Sequence, residues 1–149
     1  MFIYTFLVHN FPTAVSPDLS RRNAESSSST TTVRRAVRAD AGQIHQVLVN
    51  LLLNAVQAMP EGGSVEIATW AGADGAVVEV RDHGAGLPDI PVERLFEPFF
   101  TTKAAGTGLG LHVCRRIAES HGGRLDAANA PGGGAAFRLV LPAVTANVA

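Results

Sequence analysis

The chain has 149 residues, a formal net charge of −1 and one cysteine, Cys114. That length suits one domain with a core of useful size. The near-neutral charge supplies no basic face for nucleic acid, and a lone cysteine excludes an internal disulfide framework or a cysteine-built zinc site. Cysteine usage fits a reducing, cytoplasmic setting.

Met1–Val8, MFIYTFLV, is apolar but far short of the roughly 20 residues a membrane span needs, and it lacks a signal-peptide pattern. No membrane contact is expected from it, and it reads as an unusual N-terminus. Residues 9–32 follow, including FPTAVSPDLSRRNAESSSSTTT, rich in Ser, Thr and Pro. They read as linker or disorder, so residues 1–32 are set apart from a patterned domain over 33–143, with 144–149 as a tail. Thr32–Val37, TVRRAV, has the composition of a short strand. Asp40 then caps a helix expected from about Gly42 to Met59, with Ile44, Val47, Leu48, Leu51, Ala55 and Met59 on its buried face. PEGG ends it. Ser64–Trp70 and Ala76–Arg81 read as strands of a hairpin turned by Gly72–Gly75, GADG. An irregular stretch runs from Asp82 to Gly106, a second helix from Leu109 to Ser120, and two strands cover Arg124–Ala128 and Ala135–Leu141. The expected fold is an α/β two-layer sandwich, a mixed and mostly antiparallel sheet with both helices on one face.

Three stretches could carry chemistry. In the first helix, at about 100° per residue, Gln43, Asn50, Asn54 and Gln57 share one strip beside the apolar face, with Gln46 nearby. Buried amides need partners. Either neighbouring loops supply them, or an Asn carbonyl serves as a hard ligand for Mg²⁺ beside phosphate oxygens. Asp82, at a strand end in VVEVRDHGAGL, is either an ordinary Asp-x-Gly turn or an acceptor for an exocyclic amine such as that of adenine. The third, GTGLGL at Gly106–Leu111, precedes a helix. It could cradle an anion with converging backbone N–H groups, or act only as a flexible joint. Between the last two, RLFEPFFTTK carries three phenylalanines, of which one or two should fill core. Thr101, Thr102 and Lys103 at its end could reach a phosphate, and Ala104–Gly106 could hinge a lid.

Taken in order, NLLLNA, DHGAG, LFEPFFTTK and GTGLGL resemble the N, G1, F and G2 boxes of sensor histidine kinases, over about Asp40–Pro142. The resemblance implies the catalytic ATP-binding domain of a two-component kinase, of the Bergerat type shared with gyrase, with FEPFFTTK most like the nitrogen-regulation branch. It implies ATP and Mg²⁺ as cofactors. By the same resemblance Asn54 is the metal ligand and Asn50 supports the phosphate or metal side. Asp82 recognises adenine, with Gly84 and Gly86 shaping that wall. Gly106, Thr107, Gly108, Leu109, Gly110 and Leu111 serve the triphosphate and the lid hinge, and Lys103 is the lid cation. The implied partners are a histidine-containing dimerisation domain and, through it, a response regulator.

Four departures qualify the resemblance. None of His9, His45, His83, His112 and His121 has the acidic neighbour and following proline of a phosphoacceptor, so self-phosphorylation is not expected and transfer needs a partner domain. Residues 1–31 do not resemble the family's N-terminal helix and strand, so the sheet is expected to lack an edge strand. Asn50 stands where ATP-hydrolysing relatives use a glutamate base, which disfavours hydrolysis over transfer. Gln57 stands where many members carry Lys or Arg, a loss that Lys103 could offset. Alternative readings are a nucleotide-binding module without transferase activity and a serine kinase of the anti-sigma type.

Overall fold

The computed structural model describes residues 4–10 and 36–144. Five strands form one sheet in the order β1-β2-β3-β5-β4, where β1 is Tyr4–Asn10, β2 Gly63–Ala71, β3 Gly75–Asp82, β4 Arg124–Asn129 and β5 Ala135–Pro142. β2, β3, β5 and β4 pair antiparallel, and β1 runs parallel to β2 from Tyr4 against Gly63 to Asn10 against Thr69. The edge strand expected to be missing is therefore supplied by the N-terminal stretch. Its aromatic and β-branched residues suit a strand, but its partner lies some 60 positions away and leaves no local trace. The linker expected over 9–32 lies, after Asn10, outside the described residues, as do most of Thr32–Val37 and the tail beyond Val144. Val37 itself makes a bridge to Ala143.

Helix α1 spans Ala41–Gln57 and α2 spans Gly110–Ser120. Asp40 caps α1, its Oδ1 accepting from Gln43 N at 2.9 Å, and so answers one of the orphan N–H groups of the first turn. Val47, Leu51 and Ala55 recur along one stripe and are buried, as periodicity required. They meet Cys114, Ile117 and Ala118 of α2 and the inward row of the sheet, Val65, Val80, Leu125, Phe137 and Leu139. Each such aliphatic or aromatic side chain contributes about 1.5–3 kcal/mol on leaving water. The hairpin joins β2 to β3 through Gly72 N donating to Gly75 O at 2.7 Å. Within the irregular stretch, Val92–Phe96 form a single 3₁₀ segment that drives Leu95 and Phe96 into the core.

Candidate functional site

The C-terminal half of α1, the end of β3, the loop after the 3₁₀ segment and the start of α2 enclose a cleft of about 540 Å³. That size falls in the range of small-molecule sites. Asn50, Asn54 and Gln57 of the amide strip line it, whereas Gln43 and Gln46 are exposed elsewhere on α1. Of the other residues singled out in sequence, Asp82, Gly86, Lys103, Gly106, Thr107, Gly108, Gly110 and Leu111 also line it. Gly84 and Leu109 do not. Gly84 packs on the end of α1, where an added Cβ would come within 2.4 Å of the Ala58 carbonyl oxygen. Leu109 is the residue preceding α2, and its side chain is partly exposed.

Asp82 is 3% exposed, an unusual position for a carboxylate. Two backbone donors reach its Oδ1, Gly84 N at 2.9 Å and Ala135 N at 3.2 Å. Both fix the carboxylate at the cleft wall. Gly134, with φ +84°, makes this possible: any Cβ there would sit 1.9 Å from the Asp82 carbonyl oxygen, so only glycine lets β5 begin beside β3. The Ala135 amide carries no sequence signature, and the residue's role was invisible before folding. Asn129 was missed as well. Its Oδ1 accepts from Leu87 N at 2.7 Å and pins the DHGAGL turn to β4. Leu53, Leu87, Leu95, Phe100 and Phe137 supply the apolar part of the lining.

On the opposite wall, Lys103 Nζ donates to Asn54 Oδ1 at 2.7 Å and to Gln57 Oε1 at 2.5 Å. Partial burial lowers the Lys103 pKa from its usual 10.5. Thr101 Oγ1 accepts from Lys103 N at 3.0 Å and tightens the turn that delivers the lysine. Burial pushes the Cys114 thiol pKa up, and the neighbouring Asn50 side chain partly opposes it. The phenylalanines divide as expected: Phe96 is buried, Phe100 packs on the core, and Phe99 is 75% exposed. His112 Nδ1 donates to Phe96 O at 3.0 Å, and the Arg115 guanidinium lies 5.3 Å from the Phe96 ring centre, so α2 anchors this loop.

Helix α2 opens into the cleft without a side-chain cap and with no acidic residue in its first turn. Its free N–H groups and positive end are suited to an anion. A Cβ at Gly110 would meet nothing within 4 Å, so packing alone does not require that glycine. Among the described residues no group of three or more His, Cys, Asp or Glu could hold a metal ion.

The model of the histidine kinase-, DNA gyrase B- and HSP90-like ATPase family matches residues 39–145. The chain belongs to this family. Within it the chain is similar to sporulation kinase C of Bacillus subtilis, 42% identical over 106 residues, covering 71% of this chain and 25% of that protein. It is 36% identical over 136 residues to the sensor histidine kinase ZraS of Escherichia coli, covering 91% of this chain and 29% of that one. The second span is too long for residues 33–149 alone, so it extends into residues 1–32, which the motifs had left outside the resemblance. Among solved structures, the catalytic domain of histidine kinase ThkA superposes with a TM-score of 0.70 at 33% identity, covering 94% of this chain and 79% of that one. The domain is thus of the histidine-kinase ATP-binding catalytic type. It spans about a quarter of the curated relatives it matches.

Proposed function

We propose that the cleft binds ATP with Mg²⁺ and positions the γ-phosphoryl group for transfer to a histidine on a helical dimerisation domain, from which a response regulator would receive it. The observation that carries this is the convergence of three unlike groups on one cleft: the buried carboxylate of Asp82, the Asn54 carbonyl and the open N-terminus of α2. Asp82 Oδ1 is held by two backbone donors, so its other oxygen is free to accept from the adenine amine. The apolar lining around Leu87 and Phe137 suits a flat ring.

The donor set fits magnesium. The Asn54 oxygen already takes a cation, the Lys103 ammonium, in a polar cleft. Magnesium at a nucleotide keeps several waters and takes few protein ligands beside the phosphates, so one hard amide oxygen suits it. Bound there, the ion would neutralise charge developing on the phosphates. Asn50 and Asn54 orient the phosphate side, while Thr107, Gly108 and the first turn of α2 offer backbone donors. Lys103 would meet the γ-phosphate once it leaves α1. Because Asn50 cannot take a proton from water, positioning for an incoming imidazole is favoured over hydrolysis.

Calorimetry tests the binding step. Wild type should bind ATP only with magnesium, and Asn54→Ala and Asp82→Asn should each weaken binding at least tenfold while circular dichroism stays native. Asn at 82 keeps an acceptor for Gly84 and Ala135, so the fold is spared. A wild-type chain that ignores magnesium-ATP would sink the proposal. The transfer step is read by supplying a histidine-bearing helical hairpin and labelled ATP. Acid-labile, base-stable label on the hairpin is expected; acid-stable label would point to a serine kinase, and no label to a binding module.

A further inference from the structure

We infer that Gln57 and Asn54 form a resting site for Lys103 that latches the loop of residues 97–106 onto α1 when no nucleotide is bound, and that Gln57 is the positioning residue of this latch. Three features meet at the Lys103 ammonium. It reaches two side-chain oxygens three positions apart on α1, Asn54 Oδ1 at 2.7 Å and Gln57 Oε1 at 2.5 Å. Residues at that spacing lie side by side on a helix and make a fork for one cation. The last turn of α1 carries no basic residue of its own, and the Lys103 ammonium brings a cation from the loop to that negative end.

The loop is shaped to make that delivery. Thr101 Oγ1 accepts from Lys103 N, and Gly106 N donates to Lys103 O at 3.2 Å, which holds the lysine at the apex of a tight turn. Phe99 sits at φ +65° with its ring 75% exposed, a conformation that is costly for a non-glycine residue and persists only when its flanks are held. One flank is fixed by Phe96 under α2 and the other by Lys103 on α1. The latch matters because it occupies the Asn54 oxygen. This part rests on the reading of Asn54 as the oxygen that faces magnesium: the ion and the lysine then compete for one atom, and nucleotide entry requires the ammonium to be handed from α1 to the phosphates. Glutamine at 57 suits this exchange, since a neutral acceptor holds Lys103 without the attraction of a full negative charge.

Lys103 is the only lysine in the chain, so a lysine-specific endoproteinase has one internal site to cut. In the nucleotide-free chain, Gln57→Leu should be cut about fivefold faster than wild type, the equivalent of losing one hydrogen bond of about 1 kcal/mol. Gln57→Glu, which keeps the acceptor and adds charge, should be cut more slowly than wild type. An arginine-specific protease should treat all three alike, which sets the latch apart from general loosening. In the same proteins the magnesium concentration for half-maximal ATP binding should fall severalfold in Gln57→Leu. Equal lysine-site cleavage in wild type, Gln57→Leu and Gln57→Glu overturns the latch. Wild type that shows the expected cleavage order but no magnesium-dependent ATP binding overturns instead the nucleotide reading and, with it, the competition at Asn54.

Discussion

Position 108 shows how much one residue without a side chain controls. Gly108 has φ +69°, and a Cβ there would lie 2.3 Å from the Phe99 carbonyl carbon and 2.6 Å from its oxygen. The loop and the start of α2 approach so closely because nothing projects between them. For Gly108→Ala, the left-handed backbone alone should cost about 1–2 kcal/mol, with the backbone clash added to it. A lower urea midpoint with an unchanged slope is expected; an unchanged midpoint would mean that the loop relaxes freely. His83 illustrates the opposite case, a residue whose partner could not be read from its neighbours. It is exposed, but its Nε2 donates to Glu66 Oε1 at 2.7 Å across the hairpin. The hairpin register decides that pairing, since Glu66 stands opposite Arg81, two positions before His83.

At the scale of elements, the two helices are tied together at the end remote from the cleft. Asp40 N donates to His121 Nε2 at 3.0 Å, so that nitrogen must be the acceptor and the ring proton sits on Nδ1, which donates to Ile117 O at 2.7 Å. One imidazole thereby joins the start of α1 to the last turn of α2. A second cavity of about 550 Å³ lies here, lined by Arg38, Asp40, Ser120 and His121 among others. Its central polar groups are already paired with each other. His121→Ala should lower the unfolding free energy by about 1 kcal/mol, the usual net worth of a partly exposed hydrogen bond. It should also speed hydrogen exchange at the Asp40 amide. Native exchange at that amide would show that the tie contributes nothing. Helix limits were largely legible: periodicity and the Asp40 cap placed α1 within two residues at either end, and α2, expected over Leu109–Ser120, runs Gly110–Ser120 and closes before Gly122, where φ is +72°.

At the scale of the whole molecule, α1, α2 and the sheet share one core, and Cys114 lies in it with no exposure. Its thiol donates to Val47 O at 3.8 Å, and burial pushes its pKa above 9.0. In the unfolded chain this thiol ionises at its ordinary pKa, whereas in the folded chain it keeps its proton to higher pH. The unfolded state therefore binds fewer protons above pH 9, and the thiol's contribution, complete below that pH, is lost as pH rises. Urea unfolding followed from pH 8 to 10.5 should show this fall, and Cys114→Ala should flatten it. An equally steep fall in Cys114→Ala would assign the loss to other groups. Iodoacetamide should label the thiol only once denaturant opens the core.

From its order of residues alone, the chain declared its family, its α/β layering, the cap and apolar stripe of α1, and the four motifs around the cleft. Those properties are local: a helical period, a glycine before a helix and an acid at a strand end all act within a few positions. The folded chain alone decided that Tyr4–Asn10 would close the sheet edge, that the Ala135 amide would hold Asp82, and that Lys103 would rest on Asn54 and Gln57. Each of these joins groups about 50 or more positions apart through hydrogen bonds whose partners carry no mark in sequence. Strand register and close glycine packing set such contacts, and both exist only once the sheet and helices have met.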